Sequence, residues 1–166
     1  MPDQKIIVVN TTPLLALTAG LGHLDLLQAI YTRVHVPCEV VQEVRAGGRY
    51  GFAVDVFEKA DWLHKISTPT SISPYLKNSL DPGEASVIQT ALDQGIPLVC
   101  IDEAAGRRIA RICGLQVTGS IGILLKAKQQ GYPVPVREAL DNMQRQGIWL
   151  SRRLMTFALQ ESGGSP

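Results

Sequence analysis

Five polar residues stand where a parallel-sheet protein places its chemistry. Asn10 follows the apolar run IIVV at 6–9, and Asp102 follows LVCI at 98–101. Ser120 closes the Thr-Gly-Ser triplet that follows Gln116-Val117. Glu43 and Glu84 lie on segments with helical spacing. Oxygen ligands gathered at the mouth of a sheet suit Mg²⁺ or Mn²⁺, which take carboxylates and waters. A cation there can activate water and neutralise charge on a phosphodiester undergoing in-line displacement.

Each residue also has a structural role open to it. Asp102 and Ser120 can cap the helices they precede. Glu84 completes a capping box in Asp81-Pro82-Gly83-Glu84. Glu43 can be a solvated helical carboxylate, and Asn10 can satisfy turn backbone. No one of them is specific alone; their joint placement at strand ends carries the reading.

The elements that must position them follow from periodicity. Short β-branched or apolar runs at 6–9, 34–36, 62–66, 97–101 and 116–117 read as strands, the first and fourth buried on both faces. Helical spacing marks 13–19, 24–31, 37–45, 51–60, 82–94, 102–113, 120–130, 136–146 and 150–160. Thr12 is expected to cap the first helix, with Pro13 in its first turn. The Ser/Thr/Pro-rich stretch 67–79 reads as a loop, and 162–166 as a disordered tail. Alternating strands and helices predict one α/β domain over 1–161: a three-layer α/β/α sandwich with a mostly parallel central sheet. In such sheets the functional crevice lies beyond the carboxyl ends of the strands.

Composition narrows the function classes. With 45% apolar residues in 166, the chain can bury a sizeable core. Sixteen bases against 15 acids give a net charge of +1, which excludes a charge-driven coat for nucleic acid. A polyanion must then meet a local patch or a metal ion. Aromatics at 5% argue against an extended base-stacking platform. Cys38, Cys100 and Cys113 form no CxxC pair and read as reduced thiols of a cytoplasmic protein. The three histidines have no zinc-ligand spacing. No apolar run reaches the length of a membrane span.

Residues 6–27, 34–44, 80–92 and 98–128 together resemble the PIN-domain family of metal-dependent ribonucleases. Within it they are similar to the small prokaryotic branch related to VapC-type toxins. The motifs that carry the likeness occur in family order: a strand followed by N-T-T-P-L, then P-C-E-V-V-Q-E, G-E-A, D-E-A-A-G-R and G-S-I-G-I-L-L. The resemblance implies a parallel α/β/α fold, an acidic pocket for Mg²⁺ or Mn²⁺, and cleavage of RNA. It also implies a homodimer held inactive by a small antitoxin protein.

Position by position, Asn10 falls on the family's first aspartate, Glu43 on the acid after the P-x-x-V segment, Glu84 on the acid of G-E-A and Asp102 on the acid after the next strand. Ser120 falls on a variable Asp/Ser/Thr/Asn ligand position, and Thr12 on a hydroxyl beside the first acid. Glu43, Glu84 and Asp102 are thus the expected catalytic acids, joined by Asn10 and Ser120 as metal ligands. Arg107, Arg108 and Arg111, on the helix after Asp102, are the expected phosphate contacts with Thr12. Lys126 and Lys128 are weaker candidates for the same role.

The departure is Asn10, whose amide oxygen can ligate a cation but brings no charge. Glu103 could supply charge there, yet a residue at the first helical position is expected to point outward. The rival reading is a PIN-like domain with weakened metal binding that binds RNA or protein instead. A receiver-type phospho-acceptor lacks its acidic cluster here, and a dinucleotide-binding domain lacks GxGxxG. Near the C-terminus, Leu150, Leu154, Phe157 and Ala158 form an apolar stripe that either packs on the domain or receives a partner.

Overall fold

The computed structural model describes residues 5–163. Five short strands form one sheet: β1 (Ile6–Val9), β2 (Arg33–Val36), β3 (His64–Lys65), β4 (Leu98–Cys100) and β5 (Gln116–Thr118). Their order is β3-β2-β1-β4-β5, and every pairing is parallel. Parallel neighbours require long crossovers, and helices supply them. These are α1 (Thr11–Leu21), α2 (Asp25–Ile30), α3 (Cys38–Ala46), α4 (Phe52–Lys59), α5 (Pro74–Ser79), α6 (Pro82–Gln94), α7 (Ala104–Ile112), α8 (Ser120–Gln129), α9 (Val136–Arg145) and α10 (Arg152–Glu161). They flank the sheet in the expected α/β/α arrangement.

The strand order reverses direction between β1 and β4. The chain winds from β1 outward through β2 and β3, then returns to β4 on the other side of β1. This switch point opens a crevice at the carboxyl ends of β1 and β4. Asn10 and Asp102 follow those two strands, and the Asn10 N–H donates to the Cys100 carbonyl at 3.0 Å. The strands beneath are fully buried at Ile7, Val8, Val9, Val99 and Cys100. They give the crevice a floor with no room for rearrangement.

Helix α1 leaves that floor and packs along α9. Gly20 permits the approach: a Cβ there would lie 2.9 Å from Met143 Cε and 3.1 Å from the Ala139 carbonyl oxygen. Helix α6 packs over β1 and β4 with α3, α5 and α7 beside it. Among the described residues no helix is long and apolar enough to cross a membrane.

Several boundaries differ from the sequence expectation. Helix α1 starts at Thr11, so Asn10 rather than Thr12 is its N-cap. The stretch 67–79 is not all loop. Ser73 caps α5 by accepting the Leu76 N–H at 3.5 Å, with Pro74 in the first turn. The surrounding Ser, Thr and Pro hide that signal. Helix α7 begins at Ala104 with Glu103 as its cap, one residue later than expected, and α10 begins after Ser151, which accepts the Leu154 N–H at 3.0 Å. Of the tail expected to be disordered, Ser162 and Gly163 continue the end of α10, donating to the Ala158 and Gln160 carbonyls at 3.0 and 3.1 Å. Residues 164–166 lie outside the described residues.

Candidate functional site

Two cavities meet at the switch point, and Thr12 lines both. The first, about 390 Å³, is bordered by Asn10, Thr11, Glu43, Asp81 and Glu103. The second, about 500 Å³, runs from Asp102, Arg107 and Ser120 to Trp149, Leu154 and Phe157.

The acidic cavity is built from four elements. Asn10, at the start of α1, is only 3% exposed. Its amide nitrogen donates to Glu103 across a long 3.5 Å contact. Its Oδ1 is buried and has no hydrogen-bond partner among the described residues. Glu43, near the end of α3, accepts a hydrogen bond from Thr11 Oγ1 at 2.9 Å. Its carboxylate lies so close to Gly83 that any Cβ there would collide with Oε1. Glu43 sits on the exposed rim, but this packing partly desolvates the carboxylate. Desolvation raises its pKa, the Thr11 bond opposes the shift, and the charges of Asp81 and Glu103 add to it.

Glu84 lies deeper. The expected cap is present: the Glu84 N–H donates to Asp81 Oδ1 at 2.9 Å and so starts α6. Its carboxyl group turns toward α7, where a Cβ on Gly106 would come within 2.5 Å of Oε2. The residue is 7% exposed. Burial raises its pKa to about 8, aided by the Asp81 hydrogen bond and the charges of Asp81, Glu103 and Glu43. A positive charge placed nearby would pull it back down by favouring the ionised form.

Asp102 does not cap the helix that follows it. Its Oδ1 accepts the Ser120 N–H at 2.8 Å and its Oδ2 accepts Ser120 Oγ at 2.9 Å. It therefore satisfies the first N–H of α8 from the end of the neighbouring strand, and Gly119, not Ser120, is the α8 N-cap. Gly119 is required there: a Cβ would lie 2.6 Å from Asp102 Oδ1 and 2.9 Å from Arg107 Nη1. Burial pushes the Asp102 carboxyl up, while the two Ser120 bonds pull it back.

Glu103 reverses expectation. It is the N-cap of α7 with extended backbone (φ −77°, ψ 138°), so its side chain departs from the helix before the first turn. The carboxylate reaches back to β1's end, where it accepts short hydrogen bonding from Thr12 Oγ1 and the Asn10 contact. Asp81, read in the sequence only as a cap, also borders the acidic cavity. Neither residue carried a periodicity signal. The adjacency of Glu103 to Asp102 was the one available hint.

The arginines separate. Arg107 lines the second cavity, and its Nη1 donates to the Ile101 carbonyl at 2.9 Å. Arg108 and Arg111 are exposed on α7 and line neither cavity. The terminal stripe also divides: Leu150 and Ala158 are buried, whereas Leu154 and Phe157 are 37% and 50% exposed.

Among the described residues no three His, Cys, Asp or Glu side chains converge into a ready cage for a metal. The donor set is instead an orphaned amide oxygen with carboxylates spread around one cavity. That set fits Mg²⁺ or Mn²⁺, which bind through one or two carboxylates and keep several waters.

The parallel order and the switch-point crevice with acids along it define an α/β/α domain. Residues 6–164 match the PIN domain, and the chain belongs to that family. Neither a search of curated proteins nor one of solved structures returns a match.

Proposed function

We propose that the chain is a metal-dependent ribonuclease of the PIN type, hydrolysing RNA phosphodiester bonds with Mg²⁺ or Mn²⁺. One observation carries the reading: the buried Asn10 Oδ1, without a partner among the described residues, beside a cavity bordered by the carboxylates of Glu43, Asp81 and Glu103. Desolvation holds Glu43 above the ordinary carboxylate range, and a cation would favour its charged form.

In this reading Asn10, Glu43, Glu84 and Asp102 would hold the cation. Bound there, a divalent ion would supply Lewis acidity for water activation and for the charge of the scissile phosphate. Ser120 fixes both oxygens of Asp102 and so sets its direction. Thr12 stands between the two cavities, where an RNA strand crossing from one to the other must pass. Arg107 flanks that path as a phosphate contact. Arg108 and Arg111 serve at most as distant electrostatic attraction.

The same reading extends to a toxin of a toxin–antitoxin pair acting in the cytoplasm as a homodimer. The exposed Leu154 and Phe157 support a small antitoxin protein or a second copy as the partner. The alternative is a catalytically weak PIN-like module that binds RNA or protein. The neutral Asn10 favours it, since it brings no charge to the cation site.

Cleavage of several RNAs with millimolar Mg²⁺ or Mn²⁺, compared with a chelator, separates the two. The nuclease reading expects cleavage that is metal-dependent and lost in Asp102→Ala. Absence of cleavage at millimolar Mn²⁺ rejects it in favour of the binding module.

A further inference from the structure

Asn10 leaves the end of β1 without the charge that a divalent cation needs, and the structure offers a replacement one helix away. Three observations converge on Glu103. Its carboxylate touches both Asn10 Nδ2 and Thr12 Oγ1, so it lies directly at the residue whose charge is missing. Only the NH₂ group of an amide can donate to a carboxylate, so this contact fixes which way Asn10 points. The orientation leaves Oδ1 as the free atom of a side chain 3% exposed.

The other acids are less suited to that place. Asp102 borders the second cavity, not the one at Asn10, and its oxygens are held toward Ser120. Glu84 is turned against Gly106 on α7. Glu43 stands across the cavity, with one oxygen held by Thr11. Glu103 borders the same cavity as Asn10 and has no cap to make for its own helix.

We propose that Glu103 supplies the negative charge that Asn10 lacks, so that an amide oxygen and the carboxylate behind it together form the β1 side of a divalent-cation site. Glu103 acts here in two ways: it orients the amide and it provides the charge. The proposal rests on the metal-dependent reading above.

The test is Mn²⁺ binding by the purified full chain, measured by calorimetry without RNA. The expected result is measurable binding by the wild type, weakened about ten-fold or more in Glu103→Gln. Glu103→Gln combined with Asn10→Asp is expected to regain most of that loss, because the charge returns at the neighbouring position. Asp61→Asn, an exposed carboxylate outside both cavities, is the control and should bind as the wild type does. Thermal melts of each variant show that it is folded, and the double variant supplies a folded comparison should Glu103→Gln alone be unstable. Wild-type affinity in Glu103→Gln overturns the proposal while leaving the nuclease reading intact. Failure of Asn10→Asp to restore binding also overturns it, since charge is then not what was lost. A wild type that binds no Mn²⁺ at millimolar concentration overturns both together.

Discussion

The two cavities that meet at Thr12 are unlike in almost every physical respect. The acidic one is bordered by carboxylates held against neighbouring elements. Glu43 lies on Gly83, Glu84 lies behind it on Gly106, and Asn10 meets Glu103 across a long contact. The other ends in side chains that touch little: Trp149 is 83% exposed and Phe157 50%. One side concentrates like charge at a cost in stability. The other exposes apolar area at a cost in hydration. Both arrangements cost stability, and under the proposed function the first would take an ion and the second a larger partner.

The sharpest way to break this contrast is to neutralise one carboxyl group on the acidic side. Glu84→Gln keeps the shape and removes the charge that the cation would draw out. Cleavage is expected to fall on the order of 100-fold, as when a preorganised electrostatic group is deleted. Leu154→Ala, in the other cavity, is expected to change the rate by no more than a few-fold. Equal losses in the two variants would show that the cavities do not divide the work as described.

A second test uses the close backbone. In Gly106→Ala the new methyl group would lie 2.5 Å from Glu84 Oε2 and 2.9 Å from Ile101 Cγ2. Such overpacking costs about 1–3 kcal/mol. Chemical denaturation should show that loss, and the variant should lose cleavage as well, because Glu84 must move. A variant with wild-type stability would mean that α7 is not held against Glu84.

How far this division was legible in the sequence depends on the kind of signal. The strands were readable because each is a short apolar run, and the parallel sheet followed from their alternation with helices. The Asp81–Glu84 cap was readable because its spacing is local. Asn10, Glu43, Glu84 and Asp102 were readable as a set from their joint placement, and the family motifs sharpened that reading. What was not legible depended on side-chain direction. The shift of the α7 cap from Asp102 to Glu103 turns one acid to Ser120 and the next to Asn10, and no periodicity announces a one-residue shift. The separation of Arg107 from Arg108 and Arg111 is likewise set by helix rotation against β5. Leu150 and Phe157 share a stripe in the sequence, but the turn before Ser151 buries the first and leaves the second in the open.

The third test concerns pH. Glu84 has a pKa near 8 in the folded chain, far above the value of about 4.3 for an unfolded glutamate. Between those values the folded state holds a proton that the unfolded state has released. Stability from this group is therefore full below about pH 4 and is lost as pH rises toward 8. The slope approaches about 1.4 kcal/mol per pH unit in the middle of that window. In metal-free buffer, melting temperature should fall from pH 5 to pH 8 more steeply in the wild type than in Glu84→Gln. Adding Mn²⁺ should flatten the wild-type curve, since the ion favours the charged form. Parallel curves for the two proteins would remove Glu84 from the electrostatic account.

The smallest effect is expected where the side chain is largest. Trp149→Ala removes an indole that is 83% exposed. Little of its surface leaves water on folding, so the hydrophobic stabilisation available to lose is small. Stability should change by no more than about 0.5 kcal/mol, the range of surface substitutions that touch no special feature. By contrast Phe57, 1% exposed, should cost about 3–5 kcal/mol on truncation to alanine. Denaturation curves of the two variants check the pair. A loss of 2 kcal/mol or more in Trp149→Ala would mean that the ring packs on the domain in solution, and that the second cavity is closed. A negligible loss keeps the cavity open beside Asp102 and leaves its aromatic edge free for a partner.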